Sequence, residues 1–467
     1  MKMKVLLLTL GLGAATILGA VPALAATTLA IARTDNGVAL RWNGPGVLQS
    51  ADSINGGWLE MPQAVVTFAV PATNSLKFFR VRGPTFTVVD TGETNCYGNI
   101  NPINAPSAGQ PFYGQDAQYA NPSPAYTNNG DGTITDLNTG LTWVQARGSK
   151  TTWEAAVAGA ATNRTGGYTD WRMPTIKEIY SLIQFSGVNG SSMTNITGYV
   201  PFIDTNYFGF AYGSGIGTER IIDCQDWSAT PYVSTTMNGD ATVFGVNFAD
   251  GRIKGYPKYV PGSGGTTGQT LYVRYVRDHP GYGTNNFFNN GDGTITDLAT
   301  ALMWAQSDSG TGLNWSNALA WVQARNATNY LGYNDWRLPN AKELQSIVDY
   351  TRSPATTASA AINPIFDCTA ITNEGGATDY PFFWASTTHL DGSLTPLGAY
   401  VCFGRALGWM QSQVTLVWQL LDVHGAGAQR SDPKIGDPAN YPHGHGPQGD
   451  VVRITNFVRL VRGGISQ

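Results

Sequence analysis

Apolar and polar positions along the chain fall into one pattern that occurs twice. Each occurrence opens on a Gly-Asp-Gly turn between short extended runs, Asn128 to Leu137 and Asn289 to Leu298, which predicts a hairpin. A helix follows. Thr151 and Glu154 have capping-box spacing ahead of Ala155, Ala156 and Val157. In the second occurrence Asn314 precedes Trp315, Ala318, Leu319 and Val322, spaced i, i+3, i+4, i+7. A second helix begins just after Pro174, with Thr175 and Glu178 as its box and Ile176, Ile179, Tyr180 and Ile183 as its apolar stripe. Asn340 and Glu343 repeat that box ahead of Leu344, Ile347 and Val348. The period then changes from helical to alternating. Phe244, Val246 and Phe248 interleave with Val243, Gly245, Asn247 and Ala249 before an Asp250-Gly251 turn, and Tyr272 to Arg277 reads as a last strand.

The pattern at the N-terminus is different. Lys2 and Lys4 precede an apolar stretch from Val5 to Val21, and Ala23-Leu24-Ala25 is a small-x-small cleavage site. Residues 1–25 are therefore expected to be a secretory signal peptide, with Ala26 first in an exported chain. Residues 26–87 carry short alternating runs separated by turns at Asp35-Asn36-Gly37 and Asn55-Gly56-Gly57, which predicts a small all-β module of sandwich type and a linker. No later segment approaches the ~20 apolar residues of a membrane span.

The two long occurrences match in detail. NNGDGTITDL is identical at 128–137 and 289–298, Gly167-Tyr168-Thr169-Asp170-Trp171-Arg172-Met173-Pro174 returns as Gly332-Tyr333-Asn334-Asp335-Trp336-Arg337-Leu338-Pro339, and Trp227-Ser228-Ala229-Thr230 returns as Trp384-Ala385-Ser386-Thr387. The order is kept while the offset drifts from 161 upward, so one fold occurs twice with loop insertions of different length. The spacing far exceeds solenoid periods. The expected domains are 88–280 and 281–467, each with hairpin, helix, helix and strands in that order, an α+β plan.

Composition narrows the function classes. Charged residues are 13% of the chain, with 56 Gly and 13 Trp. Without Lys2 and Lys4 the charge is 26 basic against 32 acidic, and no basic run exists. Nucleic acid is therefore not an expected partner. The four cysteines divide two and two between the halves, which favours Cys96–Cys224 and Cys368–Cys402 among the three possible connectivities in an oxidising compartment. There is no CxxC, GxSxG, HExxH, P-loop or dinucleotide glycine fingerprint, and nothing singles out a glycosidase carboxylate pair, so an enzyme is not expected.

The repeated set GDGTITD, TGLTW, GYTDWRMPT, WSAT and VRYVRD, with its second version GDGTITD, LMW, GYNDWRLPN, WAST and NFVRLVR, resembles the Lcl C-terminal domain family. The resemblance covers nearly all of 88–467. It implies two tandem C-type-lectin-like domains, extracellular binding or adhesion, and, through the collagen-like adhesin that names the family, sulfated glycosaminoglycans as ligands. No Gly-X-Y tract accompanies it here. The Glu-Pro-Asn, Gln-Pro-Asp and Trp-Asn-Asp tripeptides of calcium-bridged lectin sites are missing as well.

Several side chains stand out as site candidates. Asn129, Asp131 and Asp136, with their repeats Asn290, Asp292 and Asp297, offer oxygens to Ca²⁺, although no cofactor is required and turn chemistry accounts for the same residues. Asp170-Trp171-Arg172 and its copy read as a core Trp beside a structural Asp–Arg pair. His424, His443 and His445 fall within 22 residues of a Gly/Pro-rich stretch found only in the second copy and form a candidate metal set. Arg252, Lys254, Lys258 and Arg274 in the first copy, and Arg405, Arg453, Arg459 and Arg462 in the second, are the candidates for anionic sugars. The expected product is a secreted or surface-held binding protein whose partners are extracellular glycans or other surface proteins. Self-assembly into an envelope or fibre component is the alternative, followed by a carbohydrate-active enzyme.

Overall fold

A computed structural model describes residues 29–463 except 43–45, 65–66, 72–75, 193, 218, 393–394 and 413. The expected signal peptide lies outside the described residues. Strands take up 33% of the chain and helices 11%, spread over many small sheets, and this overturns the expected α+β C-type-lectin-like architecture. The helices are where the periodicity put them, but they are short. α1 is Trp153–Thr162, α2 Ile176–Tyr180, α3 Trp315–Ala327 and α4 Ala341–Ser346. Each begins on a side-chain cap: Thr175 and Asn340 form full capping boxes with Glu178 and Glu343, and Asn314 accepts from Asn317 N–H. The cap of α1 is Thr152, one residue later than its spacing predicted, and no box forms there. The second helix of each copy ends before its apolar stripe does. Ile183 and Val348 lie beyond the helix ends, yet both are buried in the core.

The N-terminal module consists of two three-stranded antiparallel sheets around Leu40, Trp42, Leu48, Ala64 and Phe79. Each repeat then opens on its Gly-Asp-Gly hairpin. Strands Tyr126–Asn128, Thr133–Asp136 and Thr142–Val144 form a sheet closed by Val276–Arg277. Phe287–Asn289, Thr294–Asp297, Leu302–Ala305 and Val461–Gly463 repeat that arrangement. Of the predicted strand Tyr272 to Arg277, only the last two residues are strand.

The alternating segments of both copies merge into a single seven-stranded sheet. Its order is Val188–Asn189, Phe382–Asp391, Thr395–Cys402, Gln429–Pro433, Arg252–Pro257, Asp240–Asn247 and Asp226–Thr236. The three long strands of one copy run outward from the centre on one side, and those of the other copy on the other side. At the centre Arg252–Pro257 of the first copy meets Gln429–Pro433 of the second antiparallel, with Ile253 opposite Gln429. One face of this sheet carries Phe244, Val246, Ile253, Ala399 and Val401, which pack with α2 and α4 into the largest apolar cluster. On the opposite face α1 covers Trp227 and Val243, while α3 covers Trp384 and Tyr400. Between those two helices the opposite face is polar.

Candidate functional site

Alternation places the site. Arg252, Lys254 and Tyr256 project from the same face of one strand, opposite to buried Ile253. Because Ile253 faces Gln429, Arg430 of the neighbouring strand shares the polar face with Lys254. The two residues occupy matching positions on either side of the junction between the copies, and their surroundings differ. Arg430 Nε donates to Asp450 Oδ2 at 2.8 Å, and Asp450 Oδ1 is 2.8 Å from His424 Nε2. Both Asp450 and His424 come from chain that only the second copy has. Burial works to raise the Asp450 carboxyl, but Arg430 and His424 overcome it and hold the group well below the usual carboxylate range. Burial pushes His424 down to about 4 against the pull of Asp450, so at neutral pH its contact with Asp450 is a hydrogen bond and not an ion pair.

Lys254 has no such counter-ion. Its side chain is 5% exposed, and among the described residues Nζ has neither an ion-pair partner nor a hydrogen-bond acceptor. Its ammonium lies 5.4 Å from the centre of the Tyr256 ring. Burial lowers the Lys254 ammonium to about 8, with Asp250 pulling it back up and Arg430 and Arg220 pushing it further down. Tyr256 Oη, His424 Nδ1 and Arg430 Nη1 are likewise buried without a partner among the described residues.

Lys254, Tyr256 and His424 line an open cleft of about 440 Å³ at the junction. Its rim is polar: Lys150 pairs with Glu219 at 2.5 Å and Arg220 with Asp223 at 2.6 Å. Gln225, Gln269 and Gln448 add amides, and Leu271 and Pro257 add apolar surface. Gly255 joins the two copies at this wall. Its N–H donates to His424 O at 2.8 Å, and a Cβ there would stand 2.4 Å from Thr242 Cγ2 and 2.8 Å from that carbonyl.

The other candidate cations serve the fold. Arg252 donates to Asp391 at 2.5 Å and to Ser431 at 3.2 Å. Lys258 pairs with Glu154 at 2.8 Å above the Trp153 ring. Arg274 and Arg459 hold equivalent buried positions and spend their N–H groups on backbone carbonyls. Arg274 binds Val144 and Gly209, and Arg459 binds Ala305, Gln306 and Asp367. Burial lowers Arg274 to about 10. Arg405 pairs with Asp379, Arg453 with Glu374 and Arg462 with Asp335.

The candidate metal ligands are dispersed. Asp131 and Asp292 accept from the N–H and hydroxyl of Thr133 and Thr294, which closes their turns. Asn129 and Asn290 bridge pairs of threonine hydroxyls. Asp136 and Asp297 are fully buried and cap the next turn by accepting from Asn138 and Ala299. Turn and cap chemistry thus accounts for the repeated set. His443 stacks on Trp418 with ring centres 4.0 Å apart, and the His445 backbone pairs with Asp450, so neither joins His424. Among the described residues no three His, Cys, Asp or Glu side chains converge as a metal site requires.

The expected disulfides are absent: all four cysteines are free thiols. Cys96 sits on a segment docked beside Lys434 of the second copy, whereas Cys224 Sγ lies 3.8 Å from Asn247 Oδ1 in the first. Cys368 neighbours Arg459 and Asp308, and Cys402 neighbours Arg453 and Arg430. The Asp–Arg pair expected within each GY-x-DWR motif is also redistributed. Asp170 pairs with Arg277 and Arg172 with Glu178, repeated as Asp335 with Arg462 and Arg337 with Glu343.

The sequence reading missed Tyr256, Arg430 as a partner, and Asp450. Alternation with Lys254 could have found Tyr256, but no local signal joins Asp450 to Arg430 across 20 residues. No curated protein and no solved structure matches the chain. The Lcl C-terminal domain matches residues 132–277 and 293–420, more than half of the 467 residues and once in each repeat. The chain therefore belongs to the Lcl C-terminal domain family and carries that domain in two tandem copies.

Proposed function

We propose that this is a non-enzymatic, exported surface protein that binds extracellular glycans through the cleft between its two copies. The observation that carries the reading is the cleft itself. It combines amides, a tyrosine, the Lys254 side chain and modest apolar surface, the mixture that suits a saccharide's hydroxyls and ring faces. Family membership supports a surface or adhesin-like role. No helix among the described residues is long and apolar enough to cross a membrane. A glycan array with the full-length protein, with and without EGTA, tests the reading. Binding that survives EGTA is expected, because the Asp131, Asp136, Asp292 and Asp297 carboxylates are taken up by turns and caps. Failure to bind any glycan, sulfated ones included, would overturn it.

A second reading, an envelope or fibre component, draws on the apolar tip of the hairpin Leu407–Gln411/Trp418–Asp422. Val414, Leu416 and Val417 are exposed there. Concentration-dependent light scattering without glycan binding would favour it.

A further inference from the structure

We propose that Lys177 and Asn285 join in an intramolecular isopeptide bond, with Asp297 carrying the proton that the exchange requires. The bond is independent of what the cleft binds. Lys177 belongs to α2 of the first copy, Asn285 to the chain that leads into the second copy, and Asp297 to the second copy's first hairpin. Lys177 Nζ donates to Asn285 Oδ1 at 2.8 Å, and Asn285 Nδ2 donates to Asp297 Oδ2 at 2.9 Å. The amide carbon Cγ lies one C=O bond, about 1.2 Å, behind the oxygen that Lys177 touches. Gly283 lets the lysine close on this chain. Its φ is +79°, and a Cβ there would stand 2.9 Å from Lys177 Cβ.

The surroundings favour reaction. Phe86, Val88 and Tyr282 line the recess beside Lys177. Burial lowers its ammonium to about 8, with Asp297 and Asp349 pulling it back up, so part of the population is the nucleophilic neutral amine at neutral pH. Nζ also donates to Gly283 O at 3.1 Å and to Ser346 O at 2.6 Å, which fixes it against the amide. An amine and an amide held in contact react as one molecule, without the entropy cost of an encounter. Nζ adds to Cγ, the Cγ–Nδ2 bond breaks, and a Cγ–Nζ bond remains. Nζ gives up one proton and Nδ2 gains one through Asp297 Oδ2, so ammonia leaves and nothing is oxidised or reduced.

The other half of the duplication supplies a contrast. Lys342 is the repeat of Lys177, yet its Nζ donates to the backbone carbonyls of Asp90 and Ser181, each at 2.9 Å. The offset of 161 that aligns the two NNGDGTITDL segments puts Pro124 where the second copy has Asn285. Asp136, the repeat of Asp297, has Oδ2 buried without a partner among the described residues. The lysine and the carboxylate are repeated and the amide is not, so the shared scaffold does not account for Asn285. The bond would pass a pull on the chain ends directly from residue 177 to residue 285 and leave the intervening strands of the first copy unloaded.

The test weighs the denatured full-length protein by mass spectrometry and then digests it with trypsin. The expected mass is one ammonia below that of the sequence, counted from the N-terminus that the digest identifies. The digest should contain a branched peptide joining Lys177 to Asn285, with no cleavage after Lys177 and ordinary cleavage after Lys342. Incubation of the folded protein at ~pH 9, where the amine is mostly neutral, should complete the reaction in any unlinked fraction. Lys177→Arg and Asn285→Ala should keep the full sequence mass and migrate more slowly than wild type on a denaturing gel, because no loop is closed. Asp297→Asn, with unchanged circular dichroism, should leave most of the chain unlinked at purification. A full sequence mass that survives the incubation overturns the proposal. Loss of ammonia without the branched peptide also overturns it, since a succinimide at Asn285 accounts for that mass. An equal linked fraction in Asp297→Asn overturns the part assigned to Asp297.

Discussion

At the scale of single residues, the same motif has different energetic weight in the two copies. Arg337 and Glu343 form a fully buried bidentate pair, whereas the side chain of Arg172, paired with Glu178, is 31% exposed. Removing one partner of a buried pair strands the other charge, so Arg337→Met should cost about 3–5 kcal/mol. Arg172→Met should cost about 1.5 kcal/mol, because solvent screens the exposed guanidinium. Urea unfolding of the two variants measures the difference, and equal losses would contradict this account of burial. Residue type was legible in the sequence and residue partner was not. Seven of the eight cations considered for sugar binding are ion-paired or bonded to carbonyls within the protein, because in a chain with 13% charged residues most charges are matched internally.

Among the secondary-structure elements, the strand Arg252–Pro257 serves the core and the cleft at once. It supplies Ile253 to the core and Lys254 and Tyr256 to the cleft, and it is where the first copy touches the second. Gly255 is the close approach in that contact. Gly255→Ala should cost about 1–3 kcal/mol through the clash with Thr242 and the His424 carbonyl. It should also weaken glycan binding, because His424 forms one wall of the cleft. A variant of unchanged stability, measured by thermal unfolding, would mean that this approach is looser than described. The helices were the most legible elements, since capping residues and apolar spacing are local signals. Thr175, Asn314 and Asn340 cap as their positions predicted. Their lengths were less legible: α2 and α4 stop while the apolar stripe continues, because Ile183 and Val348 are buried through tertiary packing and do not need helix to get there. That difference shifts the balance from α+β to mostly β. The merging of the alternating segments into one sheet was not legible, because the periodicity of a strand does not name its neighbour.

For the molecule as a whole, the duplication produces one sheet in place of two separate ones. Copy-one and copy-two strands hydrogen-bond at the centre, and Ile179, Tyr180, Leu344 and Ile347 from α2, α4 and the chain just after α4 share one apolar cluster. Lys342 reaches into the first copy to donate to Ser181 O at 2.9 Å, and Lys177 donates to Ser346 O at 2.6 Å in the reciprocal contact. The two copies should therefore unfold in one calorimetric transition. Two resolved transitions would show that they are stable separately. The proposed glycan binding draws on the same geometry, since the repeated residues build the scaffold and the cleft lies where the unmatched chain of the second copy meets the first. Hydrogen–deuterium exchange of the full-length protein, with and without a glycan selected on the array, tests this most directly. Protection is expected in 252–257, 269–271 and the segments around His424 and Gln448, with the Gly-Asp-Gly hairpins unchanged. Protection confined to those hairpins, or to any surface away from the junction, would contradict it.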